Sequence, residues 1–107
     1  MTDRELLELA AKAAGLEVTG FYGEFWLTVE PRGENVGWNP LTDDGDALRL
    51  AVALGLRLTL PKYKGFGSSA ESQHGGVAGC TAFREDPMEQ TREAIVRAAA
   101  EIGKAML

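Results

Sequence analysis

Three clusters in this sequence carry residue types that do chemistry. His74, the only histidine, lies near Ser68, Ser69, Glu71, Ser72 and Cys80. From such types a nucleophile, a general base and an orienting acid are drawn. No nucleophile elbow surrounds them, and a histidine in a Gly-flanked segment reads as exposed and inert. Asp43, Asp44 and Asp46 around Gly45 superficially resemble a calcium or magnesium loop, in which several oxygens converge on a hard cation. The alternating ligands and distal bidentate glutamate of an EF-hand are missing, so the three acids read as the solvated start of a helix. Gly65-x-Gly67 lacks the Lys-Ser/Thr ending of a phosphate loop. Cys80, in an apolar segment, reads as a small buried residue. The expectation is a chain with no catalytic residue, no metal site and no cofactor.

The aromatic residues suggest recognition instead. Phe21, Tyr22, Phe25 and Trp26 fall close together, as on a sheet that stacks nucleic-acid bases. The neighbouring Glu17, Glu24 and Glu30 deny such a platform its phosphate contacts, which favours the core or a protein surface. Trp38 reads as closing one edge of the core, with an interface anchor as the other reading. Asn39 before Pro40 is expected to be extended. The interaction candidates are Tyr22, Trp26, Trp38, Asp43, Asp44, Asp46, Phe66 and His74.

Composition narrows the partners. The net charge of −5 is unevenly spread: residues 1–46 hold ten acids and three bases, and residues 47–107 hold six acids and eight bases. An acidic half suits a basic protein surface. No dense Lys/Arg stripe exists to neutralise a phosphate backbone; the Arg57, Lys62 and Lys64 neighbourhood leaves nucleic-acid binding as a weaker alternative. One cysteine excludes an internal disulfide and a thiolate-rich zinc site. No apolar run reaches the roughly 18 residues of a membrane span. An N-terminus carrying Asp3, Glu5 and Glu8 is not a signal peptide, so the expected location is the cytoplasm.

These residues must be positioned by a single domain over 1–107, with 45% apolar residues to form its core. Thr2-Asp3-Arg4-Glu5 is a capping box that opens a helix over about 3–14, stopped by Gly15. Glu17–Thr19 and Glu24–Val29 read as a hairpin, with Phe25, Leu27 and Val29 on one side and Trp26 and Thr28 on the other. Residues 32–41 read as a loop. A second helix spans about 44–54 and is closed by Gly55. Arg49 is its only charge after the first turn, so it is expected to be buried on more than one side. Leu56, Leu58 and Leu60 alternate with polar residues as a strand. Residues 64–76 read as a Gly/Ser-rich mobile loop, and 77–83 as a fourth strand. Asp86-Pro87-Met88-Glu89 starts a third helix, with Glu93 and Arg97 as an i,i+4 pair. No internal repeat is evident at the level of α-β-β units. The expected fold is α+β, in the order α-β-β-α-β-β-α, with one four-stranded, mostly antiparallel sheet.

Three segments together resemble the phage ABA-sandwich domain, a family of small phage and prophage proteins. They are Pro40-Leu41-Thr42-Asp43, the helix from Ala47 to Leu54 that leads into a strand, and the acidic turn Asp86-Pro87 before the alanine-rich Arg92–Ala99. The resemblance implies an α/β/α sandwich, with helices on both faces of the sheet, and a phage or prophage origin; the family's biochemical role is undefined. The functional expectation is a small non-catalytic accessory protein that binds a host or phage protein, as in inhibition of a host defence complex, or associates with itself as a homo-oligomer. The alternative is a small-ligand binder or enzyme in which the 64–76 loop meets the 43–46 acids.

Overall fold

In the computed structural model, residues 2–22, 26–30, 36–60, 67–73, 78–81 and 86–106 are described. Among the described residues three helices and six strands follow in the order α1 (Asp3–Ala13), β1 (Glu17–Tyr22), β2 (Trp26–Glu30), β3 (Val36–Trp38), α2 (Asp44–Leu54), β4 (Leu56–Thr59), β5 (Ser68–Ser72), β6 (Ala78–Thr81) and α3 (Pro87–Ala105). The mixed α+β class is as expected. The strands do not form one four-stranded sheet. They pair, among the described residues, into two antiparallel three-stranded meanders, β1-β2-β3 and β4-β5-β6. The difference lies in two segments read as loops. Val36-Gly37-Trp38 is short and sits beside Asn39, yet it pairs with Val29-Thr28-Leu27. Ser68–Ser72 has no β-branched or aromatic residue, yet it pairs on both edges; neighbouring strands override its weak propensity.

The helix ends follow local chemistry. The Glu5 amide donates to Thr2 Oγ1 at 3.2 Å, the Asp46 amide to Asp43 Oδ2 at 2.8 Å, and the Met88 amide to Asp86 Oδ1 at 2.9 Å. Gly15 and Gly55 take φ of 74° and 61°, left-handed values that favour glycine after a helix.

Burial is centred on α3. Its buried residues, Gln90, Ala94, Ile95, Val96, Ala98, Ala99, Ala100 and Gly103, cover more than half of its circumference. Its exposed stripe is Arg97, Glu101 and Lys104, and Arg97 pairs with Glu93 at 2.7 Å. Helix α3 packs on α1, α2, β5 and β6. Small residues make this possible. A Cβ on Gly103 would collide with the Leu9 carbonyl of α1, and one on Gly79 of β6 with the α3 backbone at Ala94 and Ala98. A chain of polar hydrogens ties α3 to β5. Buried Gln90 donates from Nε2 to Ser68 Oγ at 3.0 Å, and Thr91 Oγ1 donates to the Pro87 carbonyl at 2.8 Å. With that hydrogen used, Ser68 is the donor in its 2.9 Å contact with Thr91.

The helix expected to be wrapped on several sides, α2, is not. Ala47, Leu50 and Ala51 are buried, while Leu48 and Val52 are 61% and 71% exposed. Alanine-rich α3 takes the enclosed position because small side chains let several neighbours approach at once.

The order of elements is a repeat, contrary to the expectation of none: a helix and a three-stranded meander occur twice, and α3 closes the chain. The sequence carries it at a constant separation of forty residues. Thr2, Asp3, Ala11, Ala13, Gly15, Leu16 and Thr19 recur as Thr42, Asp43, Ala51, Ala53, Gly55, Leu56 and Thr59. The buried triplet Leu7, Ala10, Ala11 of α1 corresponds to Ala47, Leu50, Ala51 of α2. Across the sheets, the row Val18–Val29–Val36 corresponds to Leu58–Ala70–Gly79.

The close approach of α1 and α3 gives a direct test. Gly103→Ala is expected to destabilise the fold by about 1–3 kcal/mol through overpacking, although alanine is the better helix former by about 1 kcal/mol. Gly37→Ala, where a Cβ meets only Trp26 Cε3 at 3.6 Å, is expected to stay within about 0.5 kcal/mol. Urea unfolding of the two variants makes the comparison.

Candidate functional site

The turn between β3 and α2 is built from the acids singled out in the sequence, and each acid already has a structural task. Asn39 and Asp46 are 1% and 7% exposed. The Asn39 amide donates to Asp46 Oδ2 at 3.0 Å, and Asn39 Oδ1 accepts from the Leu41 amide at 2.9 Å, an Asx turn that bends the chain at Pro40. Asp43 caps α2. Asp44 pairs with Arg92 of α3, whose Nε also donates to the Leu41 carbonyl at 2.9 Å. The turn is thereby clasped to the central helix. Among the described residues no group of acids, histidines or cysteines is arranged to hold a metal ion.

Beside this turn lies a groove of about 620 Å³ between the end of α1, the strands β2 and β3, and α2. Its volume falls in the range of small-ligand sites, about 300–1,000 Å³. Buried Val29, Trp38 and Leu50 form its inner wall, and Leu16, Ala14 and Gly37 extend it. Val36, 41% exposed, and Ala53 lie at its opening. The lining is apolar apart from Asp46 and Arg49. The Arg49 guanidinium donates to Asp46 Oδ1 at 2.8 Å and lies 3.8 Å from Asp43 Oδ2. Its pKa is raised above the ordinary arginine value, first by the Asp46 hydrogen bond and then by the charge of Asp46. The raised value means that the charged form is favoured on folding. That contribution is complete below the unfolded pKa and would be lost only as pH rises through the folded one, far above neutrality. The site therefore offers an apolar wall and one fixed ion pair, which suits binding.

The remaining candidates are distributed as follows. Trp38, 5% exposed, closes an edge of the core and also lines the groove. Trp26 and Thr28 are half-buried on the opposite side of β2 from buried Leu27 and Val29. The backbone of Tyr22 ends β1, but its side chain lies outside the described residues, as does that of Cys80. Phe66, His74, Lys62 and Lys64 also lie outside them, as do 64–66 and 74–76 of the segment read as a mobile loop; its centre is strand β5. Arg57 approaches Glu71 across β4 and β5 at 3.8 Å. No helix among the described residues is long and apolar enough to cross a membrane. The sequence reading missed the exposure of Leu48 and Val52. The forty-residue repeat is the signal that finds it, because α1 carries Glu8 and Lys12 at the corresponding positions.

Asp46→Ala is expected to cost about 1–3 kcal/mol, since it leaves the Asn39 amide buried without its acceptor. Asp44→Ala removes a pair whose carboxylate is 58% exposed, so a loss of about 0.2–1 kcal/mol is expected. Urea denaturation separates the two, and calcium added to the parent chain is expected to leave its unfolding midpoint unchanged.

No family model matches the chain, and no curated protein and no solved structure matches it.

Proposed function

We propose that this chain is a small non-catalytic binding protein whose recognition surface is the outward side of α2 with the groove beside it. The observation that carries this reading is the pair Leu48 and Val52, 61% and 71% exposed, next to a groove lined by Trp38, Leu50 and Val36. Exposed large apolar side chains marking a patch on one helix are the signature of a contact site. The Asp46–Arg49 pair at its edge supplies orientation. The three acids are occupied by a cap, a buried turn and an ion pair, which weighs against their use as catalytic acids.

The resemblance of Pro40–Asp43, Ala47–Leu54 and Asp86–Ala99 to small phage proteins supports a cytoplasmic setting in an infected or lysogenic host. On this reading the two sheets and three helices stack as an α/β/α sandwich. The partner is then a host or phage protein, and interference with a host defence complex is the concrete form. The groove volume favours a second reading, a small apolar ligand held against Trp38.

A photo-crosslinking residue placed at Val52, and in a second protein at Lys12 of α1, tests the proposal in a bacterial host. A discrete heteromeric adduct is expected from position 52 and none from position 12. Equal smears from both positions, or no adduct from either, would sink the reading.

A further inference from the structure

The second half of the chain shows how a helix closes on the meander that precedes it. Helix α3 follows β4-β5-β6 and packs on β5 and β6. Small residues admit it. Ala70 is fully buried, and a Cβ on Gly79 would collide with the α3 backbone at Ala94 and Ala98. Helix α2 follows β1-β2-β3 in the same way, but it packs mainly on α3 and β4. The counterparts of Ala70 and Gly79 in the first meander are Val29 and Val36. They face Leu50 and Ala53 of α2 across the groove of about 620 Å³. Val36 shares the inward row of buried Val29, yet it is 41% exposed. Two layers that touch in one half of the fold are held apart in the other. Walls held apart forgo the dispersion contacts that a close-packed interior supplies.

The charges of the lining define what fits between them. Asp46 and Arg49 are the two charged residues that line the groove, and they bond to each other at 2.8 Å. The second carboxylate oxygen of Asp46 accepts from the Asn39 amide, and Arg49 also lies 3.8 Å from Asp43. An anion would compete with two carboxylates for one guanidinium, and a cation would meet that guanidinium. Either would give up water without gaining a free counter-charge. A neutral apolar molecule leaves the pair intact and gains the uncovered wall of Val29, Val36, Trp38 and Leu50. Trp38 offers such a molecule an aromatic ring.

From this we infer that the groove holds an uncharged apolar molecule of about two fused rings, which completes the core between α2 and the first sheet. The inference rests on the second reading above, a small apolar ligand, and adds its charge class and its place in the packing. Leu48 and Val52 take no part in it, since they do not line the groove.

Three probes of one shape and different charge provide the test: naphthalene, 2-naphthoate and 2-naphthylmethylammonium. Each is titrated onto the full chain and followed by the amide resonances of Gly37 and Leu50 and the indole N–H of Trp38. Naphthalene is expected to shift them saturably and to bind at least about tenfold more tightly than either ion. Ala53→Trp, at the exposed opening of the groove, is expected to weaken naphthalene by a similar factor while leaving the unfolding midpoint unchanged; Val36→Phe repeats the obstruction from the sheet side. Leu48→Glu with Val52→Glu is expected to leave naphthalene binding as it is. No saturable shift, an ion bound as tightly as naphthalene, or binding undiminished in both obstructed variants overturns the inference. So does a dimer of the chain alone, seen by sedimentation and lost in Ala53→Trp, because the groove is then filled by a second copy. An adduct at Val52 without naphthalene binding would retain the contact on α2 and remove only the ligand of the groove.

Discussion

The contact on which this fold depends is the near-backbone approach of α3 to its neighbours. Gly103 lets it close on Leu9 of α1, and Gly79 lets β6 close on Ala94 and Ala98. Each alanine buries little apolar area. At this separation the main chains themselves come into dispersion contact, so many weak attractions add along the helix. The arrangement has little tolerance, because any added side-chain atom at either glycine has no free volume to enter. It also explains how a helix with as many charges as α3 lies at the centre: Arg97, Glu101 and Lys104 share one exposed stripe, Arg92 is turned to the Leu41 carbonyl and Asp44, and alanines take much of the rest.

Once α3 is central, α2 is held mainly through its first turn. Arg92 reaches from α3 to the Leu41 carbonyl and to Asp44, and Asp46 is buried against the Asn39 amide. The acids at the start of α2 are thus the parts of a clasp. They fix the helix at its N-terminal end and orient its inner residues, Ala47, Leu50 and Ala51, toward the core. The same orientation turns Leu48 and Val52 outward and leaves room for the groove between α2 and the first sheet.

Much of this was legible in the sequence where local chemistry decides structure. The caps at Thr2 and Asp86, the acidic start of α2, the stops at Gly15 and Gly55, and the inward side of β2 all follow from residue type and spacing; which of Thr42, Asp43 and Asp44 caps α2 does not. Two strands were hidden. Ser68–Ser72 looks like a linker by composition, and Val36-Gly37-Trp38 is too short to show a period; both exist because a neighbouring strand pairs with them. The exchange of roles between α2 and α3 was hidden for a related reason. Hydrophobicity ranks α2 as the buried helix, but enclosure on several sides depends on side-chain size, and there α3 has the advantage. The repeat is not evident in two-strand units, because one strand of each half, β3 in the first and β5 in the second, lies in a segment that looks like a loop. The interaction candidates fared unevenly. Trp38 lies at the groove, the three acids serve the turn, and no local pattern distinguished Leu48 and Val52 from core residues.

The two halves share a scaffold and differ at the surface, and that difference separates what folding requires from what it does not. Leu7, Ala10 and Ala11 match Ala47, Leu50 and Ala51 in burial, since both helices must pack inward. The outward positions carry no such demand. Glu8 and Lys12 meet water at no cost, and the same types at 48 and 52 would serve α2 equally well. Side chains as exposed as Leu48 and Val52 add little to folding stability, and their apolar surface favours association. The fold therefore gives no reason for aliphatic residues at these two positions, and it is on that difference that the proposed binding surface rests.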